Sequence, residues 1–239
     1  LKHYFAALAI QEKLDDPAMK AKVLGNIGLI YGYQNANEKA ISYHTRALKI
    51  SQSINDESGL SIALNNLAIA QVQMGKYDEA VENYLACIEI DTKANNIEGL
   101  GDDYNNIALL YMDKKDYKTS LEYLEKSLEI RIAVNNLGTL AITYGNLGEL
   151  YYKLSNFERA EGLFLKAIEL AKQVNDKERL NYIYRMISKN SENLGKTEDA
   201  YEYYKLHIAY RDSIDNSALA RKQTELELNY QFNKEKEVA

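Results

Sequence analysis

With one cysteine in 239 residues, the chain can form neither an internal disulfide nor a thiolate metal cluster. One proline and twelve glycines leave few helix breakers, so the composition speaks against strands joined by tight turns. A basic excess is missing too. The formal charge of −6 argues against nucleic acid as a partner, because phosphates demand a basic surface. No block of like charge forms a tail, and no apolar run has the length of a bilayer span or the flanks of a leader peptide. Secreted proteins can also lack disulfides, so Cys87 by itself leaves the compartment open.

What fills the sequence instead is Ala, Leu, Glu, Lys and Gln, the residues that cost least in a helix. They recur with a period. Leu24-Gly-Asn-Ile-Gly28, Leu64-Asn-Asn-Leu-Ala68, Tyr104-Asn-Asn-Ile-Ala108 and Tyr144-Gly-Asn-Leu-Gly148 each begin forty residues after the last. Tyr184-Arg-Met-Ile-Ser188 keeps the spacing and loses the Asn. Further small residues follow at Ala40, Ala80, Ser120, Ala160 and Ala200, then at Ala47, Cys87, Ser127, Ala167 and, less regularly, His207. Large groups fall between them at His44, Tyr84, Leu124, Phe164 and Tyr204. Small residues let two helix backbones approach and large ones fill the gaps beside them. Asp16, Asp56, Asn96, Asn136 and Asp176, also forty apart, are candidate N-caps, and Pro17 follows the first of them. Polar stretches such as Asn35-Ala-Asn37, Gly75-Lys76 and Gly195-Lys196 divide each unit into two helices of about 16–18 residues.

The pattern of large, small, Tyr, small, aromatic and small residues resembles the tetratricopeptide repeat family. Tyr31, Tyr111 and Tyr151 occupy its Tyr position; Gln71 and Ser191 depart from it, and the usual Pro near the repeat end is absent. The common period is about 34, so these units resemble the long-repeat branch of peptide-sensing regulators and kinesin-light-chain-like adaptors. The resemblance implies an all-α superhelical solenoid over residues 1–213, with a C-terminal capping or linker helix over 214–239. Tyr4 and Ala7 stand forty before His44 and Ala47, so the array opens on the second helix of a repeat, a half repeat followed by five helix pairs. That opening reads as the start of a fragment.

Nothing in the sequence converges on chemistry. His3, His44 and His207 are far apart, two of them at packing positions, and Cys87 replaces an Ala of sister units. No phosphate loop, zinc motif or calcium loop is present, and the acid pair Asp102-Asp103 reads as a solvated helix face. No cofactor and no enzymatic activity are expected.

The asparagines are different. Asn26, Asn66, Asn106 and Asn146 share one position in the first helix of four units, and Asn65 and Asn105 precede two of them. Asn is a mediocre helix former, so its return in mid-helix calls for a reason. Either the amides bridge neighbouring helices or simply descend from a duplicated unit, or they form a ladder along the concave wall that grips the main chain of an extended peptide. The family resemblance implies the second. Ile62, Ile69, Asp102, Leu109 and Asp113 then line the central wall, and Glu149, Lys153, Arg185 and Lys189 the later one. A ligand with a basic or apolar middle and an acidic end suits those charges. Met186 takes one position of the family's carboxylate clamp, so no clamp is expected.

Twenty tyrosines and no tryptophan accompany this pattern. Tyr31, Tyr84, Tyr111, Tyr123, Tyr151 and Tyr204 are expected at packing or adjoining positions, in the core or half-buried, whereas Tyr33, Tyr152 and Tyr182 are candidates for the groove. After Asp212 the repeat stops. Leu226-Glu-Leu-Asn-Tyr-Gln-Phe232 alternates like a strand, yet the surrounding composition favours helix. Read as helix, Leu226 and Tyr230 face one way and Leu228 and Phe232 nearly the other, offering a second stripe for a homodimer. Tyr210-Arg-Asp-Ser-Ile214 and the following Lys/Glu stretch resemble tetratricopeptide sensor regions that precede a membrane helix in Bacteroidetes-type histidine kinases or transcriptional regulators. That resemblance implies an extracytoplasmic input module for signal transduction; a cytoplasmic module is the alternative. The expected function is peptide or protein binding without membrane contact by this segment, with a self-associating structural scaffold as the second reading.

Overall fold

Every twentieth residue from Asp15 to Gly195 adopts a positive φ, between 52° and 72°. The structure, a computed structural model, describes residues 1–238, and their side chains except at 221, 224, 225 and 227–238. Asn fills half of the left-handed positions, at Asn35, Asn55, Asn95, Asn135 and Asn175, and Gly75 and Gly195 fill two. These residue types tolerate a backbone that crowds the Cβ of most others. Each left-handed residue ends one helix and turns the chain toward the next. Eleven helices and no strand result among the described residues. They are α1 (Lys2–Leu14), α2 (Pro17–Tyr33), α3 (Asn37–Ser53), α4 (Glu57–Gln73), α5 (Tyr77–Lys93), α6 (Ile97–Asp113), α7 (Tyr117–Val134), α8 (Leu137–Lys153), α9 (Phe157–Gln173), α10 (Lys177–Asn193) and α11 (Thr197–Val238).

All five expected caps are in place. Asp16, Asp56, Asn96, Asn136 and Asp176 each accept a hydrogen bond from a backbone N–H in the first turn of α2, α4, α6, α8 and α10. The fold is all-α, a tandem array of helical hairpins of the solenoid type, opening on the lone second helix α1. The helices group into two compact units, Leu1–Val134 and Asn135–Ala239.

In the first unit, α2–α3, α4–α5 and α6–α7 are hairpins, and the second helices α1, α3 and α5 also pack on α2, α4 and α6. Gly28 shows why small residues recur. A Cβ there would lie 2.5 Å from the His44 ring, so α2 and α3 meet with an imidazole filling the space a side chain would need. Ala68, Ala80 and Tyr84 of the next hairpin are buried with Ile107 and Leu110 of α6, so one ring seals its own hairpin against its neighbour. Tyr31 stacks on Tyr43 and Tyr111 on Tyr123, with ring centroids 5.5 and 5.8 Å apart. Gln71, which departs from the family's Tyr, stands at the same register and accepts a 2.7 Å hydrogen bond from Asn83 instead. An amide pair replaces a ring pair at that position.

In the second unit, α8–α9 and α10–α11 repeat the arrangement. A Cβ on Gly148 would lie 2.7 Å from the Phe164 ring. Tyr184 stacks with Tyr203 and Tyr210 of α11. Tyr204, at a position where a core or half-buried ring is expected, is 52% exposed. The reason is that α11 runs unbroken to Val238, so no first helix folds back over the ring. The helical reading of residues 214–238 holds, as a continuation of α11. Of the two stripes read there, Leu226 is exposed; Leu228, Tyr230 and Phe232 lie outside the described side chains.

Two glycine substitutions should move stability in opposite directions under chemical denaturation. Gly148→Ala must push Phe164 aside and should cost about 1–3 kcal/mol. Lys115→Gly removes a Cβ from a left-handed residue and should gain about 0.5–1 kcal/mol. Equal, small effects would contradict both the crossing and the turn.

Candidate functional site

The first helices α2 and α4 lie side by side in the first unit and leave a cleft of 510 Å³ between them. Its room comes from small residues. Ala18, Ala21 and Gly25 line it from α2, Ala63 from α4, and Ala47 and Ser51 from α3 beneath. Asn26 and Asn66, two of the predicted ladder residues, both line this cleft. Beside them Ile62, another residue of the lining, is an apolar side chain that is 59% exposed.

One hairpin further on, the amides serve a different purpose. Asn106 Nδ2 donates to Asn65 Oδ1 at 2.9 Å and ties α6 to α4. Asn105 is buried on α6, and Asn146 is buried on α8 in the second unit. The bridging role and the open wall thus both occur, at different asparagines. Asp113 is exposed at the end of α6. Asp102, also on the α6 wall, pairs with Arg131 of α7, a guanidinium that is itself buried.

Asp103 corrects the reading of a solvated acid pair: only its neighbour faces water, and Asp103 is 3% exposed. It shares a hydrogen bond with Asp91 of α5, and burial followed by the Asp91 charge pushes Asp103 up to about 8. Nearby, Cys87 is fully buried, as expected for a residue in an Ala position. Its thiol donates to the Ser61 carbonyl at 3.3 Å and is pushed up to about 12, chiefly by burial. His44 is likewise a core residue, held down at about 4 by burial.

On the second unit, Glu149 and Lys153 stand on α8, and Arg185 and Lys189 on α10. Lys153 pairs with Glu149 at 3.4 Å, the Tyr182 hydroxyl donates to the same carboxylate, and the Arg185 guanidinium lies over the Tyr182 ring. Burial and the Glu149 hydrogen bond push the Tyr182 phenol up. Lys189 is exposed one turn beyond Arg185. Of the other groove tyrosines, Tyr33 is exposed in the first unit, and Tyr152 accepts from Asn193 at 3.4 Å.

Sequence reasoning overlooked Ser51, which lines the α2/α4 cleft from below. The available signal was its register, since Ser51, Asp91 and Arg131 are forty apart and all three are buried. Polar residues that recur at a packing position mark somewhere the core is not purely apolar.

The family model of the tetratricopeptide repeat matches residues 20–93 and 104–173. A comparison with curated protein sequences gives no match. Among solved structures, BtubC (BKLC) from P. vanneervenii superposes with a TM-score of 0.76 at 18% identity, covering 90% of each chain. A putative kinesin light chain with nearly identical TPR-like repeats from Podosopora anserina gives 0.64 at 16%, covering 83% of this chain and 98% of its own. A Rap protein complexed with Competence and Sporulation Factor gives 0.72 at 14%, covering 90% of this chain and 70% of its own. At such identities the likeness is one of fold.

The buried acid predicts a pH dependence. Unfolded Asp103 releases its proton near 3.8 and the folded chain keeps it to about 8, so stability falls as pH rises across that window. His44 has the opposite slope between about 4 and 6.5, which leaves pH 6.5 to 8 to Asp103. Denaturation midpoints should decline there in the parent and stay flat in Asp103→Asn. Superimposable profiles would contradict the assignment.

Proposed function

The chain belongs to the tetratricopeptide repeat family, and from that premise we propose that it binds an extended peptide or protein segment along α2 and α4 of its first unit. The observation that carries this reading is the pair Asn26 and Asn66 lining one unfilled cleft. An Asn amide donates and accepts at once, which matches the alternating N–H and C=O groups of an extended main chain. Exposed Ile62 offers apolar contact beside them. The Asp102 and Asp113 carboxylates on α6 suit basic residues further along the ligand. In the second unit, taken by itself, Lys153, Arg185 and Lys189 suit an acidic segment.

The finer reading is a sensor or input module of a bacterial signalling protein. Support comes from the C-terminal segment's likeness to such regions, and from a fold shared with a Rap protein complexed with Competence and Sporulation Factor. A self-associating scaffold is the second reading, favoured by Tyr201 and Tyr204, 61% and 52% exposed on α11.

The test uses peptides selected on the parent chain from a random linear library. Asn26→Ala with Asn66→Ala should leave helicity and melting temperature nearly unchanged. Each lost hydrogen bond should weaken binding by about 0.5–1.5 kcal/mol. Unchanged affinity with a sharp loss of melting temperature would make these amides structural and remove the basis of the proposal.

A further inference from the structure

The part of the α2/α4 cleft lined by Ser51, Asp56 and Gly59 has a polar construction that main-chain binding does not require. Ser51, in the last turn of α3, is 1% exposed, and its Oγ has no hydrogen-bond partner although it lines the cleft. A buried hydroxyl left unpaired by the protein costs free energy, so its presence at a cavity wall points to a group that enters and bonds it. Asp56 stands beside it. Its Oδ1 accepts from the Gly59 N–H and caps α4, while its Oδ2 reaches over Gly59 toward the same corner. The Cβ that Gly59 lacks would lie 2.2 Å from Asp56 Oδ2 and 2.8 Å from Ser51 Oγ, so only a glycine leaves room for the two oxygens at this corner.

On these grounds we propose that this corner is a specificity subsite for a basic side chain, Lys or Arg, of the bound segment; the inference rests on the main-chain reading given above. The walls leading to it are Ala21, Gly25, Ala47 and Ala63, which leave room for a methylene stem and offer it apolar contact. At the end the stem meets a carboxylate oxygen and a hydroxyl, a pair of acceptors suited to an ammonium or guanidinium head. The last turn of α3 adds the negative end of its dipole, and no basic side chain stands in that turn to answer it. The positive end of α4 is already met by Asp56 Oδ1. Lys22 also lines the cleft, but it is exposed, where water and salt screen its charge.

Asp56→Asn separates the subsite from the cap, because Asn accepts from the Gly59 N–H as well as Asp does. A random linear peptide library is selected against the intact parent, Asp56→Asn and the Asn26→Ala/Asn66→Ala double variant. Parent-selected peptides should share a Lys or Arg at one position. The Asp56→Asn chain should still select peptides but without that preference, and it should bind parent-selected peptides about tenfold or more weakly. Ser51→Ala should keep or raise the melting temperature and weaken the same peptides. Parent peptides without a shared basic residue, or a basic preference kept in Asp56→Asn, overturn the subsite and leave the main-chain reading standing. A lowered melting temperature in Ser51→Ala, showing that the hydroxyl already serves the fold, overturns the subsite as well. Parent peptides that bind the double variant undiminished overturn both.

Discussion

Each hairpin depends on how closely two helix backbones can approach at one crossing. Where the facing group is a ring, as at His44 and Phe164, the opposing residue is glycine and a single methyl would collide. In the α4–α5 hairpin, Ala68 and Tyr84 are buried together with the same economy of volume. Close packing of this kind forbids both larger and smaller partners, because added carbons force strain and lost ones leave voids. Fixed crossings set the spacing of the first helices. That spacing, combined with Ala and Gly along α2 and α4, leaves the cleft in which Asn26 and Asn66 meet.

The repeat holds packing constant while letting chemistry vary. One register position reads Ser51, Asp91 and Arg131 in successive hairpins of the first unit, all buried. Another reads Ala63 and then Asp103, so a core methyl in one hairpin is a buried carboxyl in the next. Burying a carboxyl is tolerable when it keeps its proton, which is the state that desolvation and the Asp91 charge favour. The second and third hairpins therefore share an electrostatic load between Asp91 and Asp103, and the first carries the buried Ser51 hydroxyl at the register of Asp91.

Much of this was legible beforehand because it is periodic. The forty-residue recurrence, the caps at Asp16, Asp56, Asn96, Asn136 and Asp176 and the half repeat at α1 all follow from local chemistry repeated in register. What escaped was set by orientation. Asp102 and Asp103 are adjacent in sequence but lie about 100° apart around the helix, and no composition argument says which one turns inward. Asn26 and Asn105 differ in the same way, one exposed and the other buried. The amide bridge from Asn106 to Asn65 needs two helices in contact, so it could be posed as an alternative and not decided. Tyr204 was misplaced for a tertiary reason, since its cover would have to come from a helix that folds back, and α11 does not turn.

The central claim is that the first helices, and not the outer faces of the second helices, receive an extended segment. A crystal structure of the chain with a library-selected peptide tests it directly. The account predicts density for the peptide backbone between α2 and α4, with the Asn26 and Asn66 amides hydrogen-bonded to its main chain. Density lying instead on α3 and α5, with the α2/α4 cleft unchanged, would contradict it.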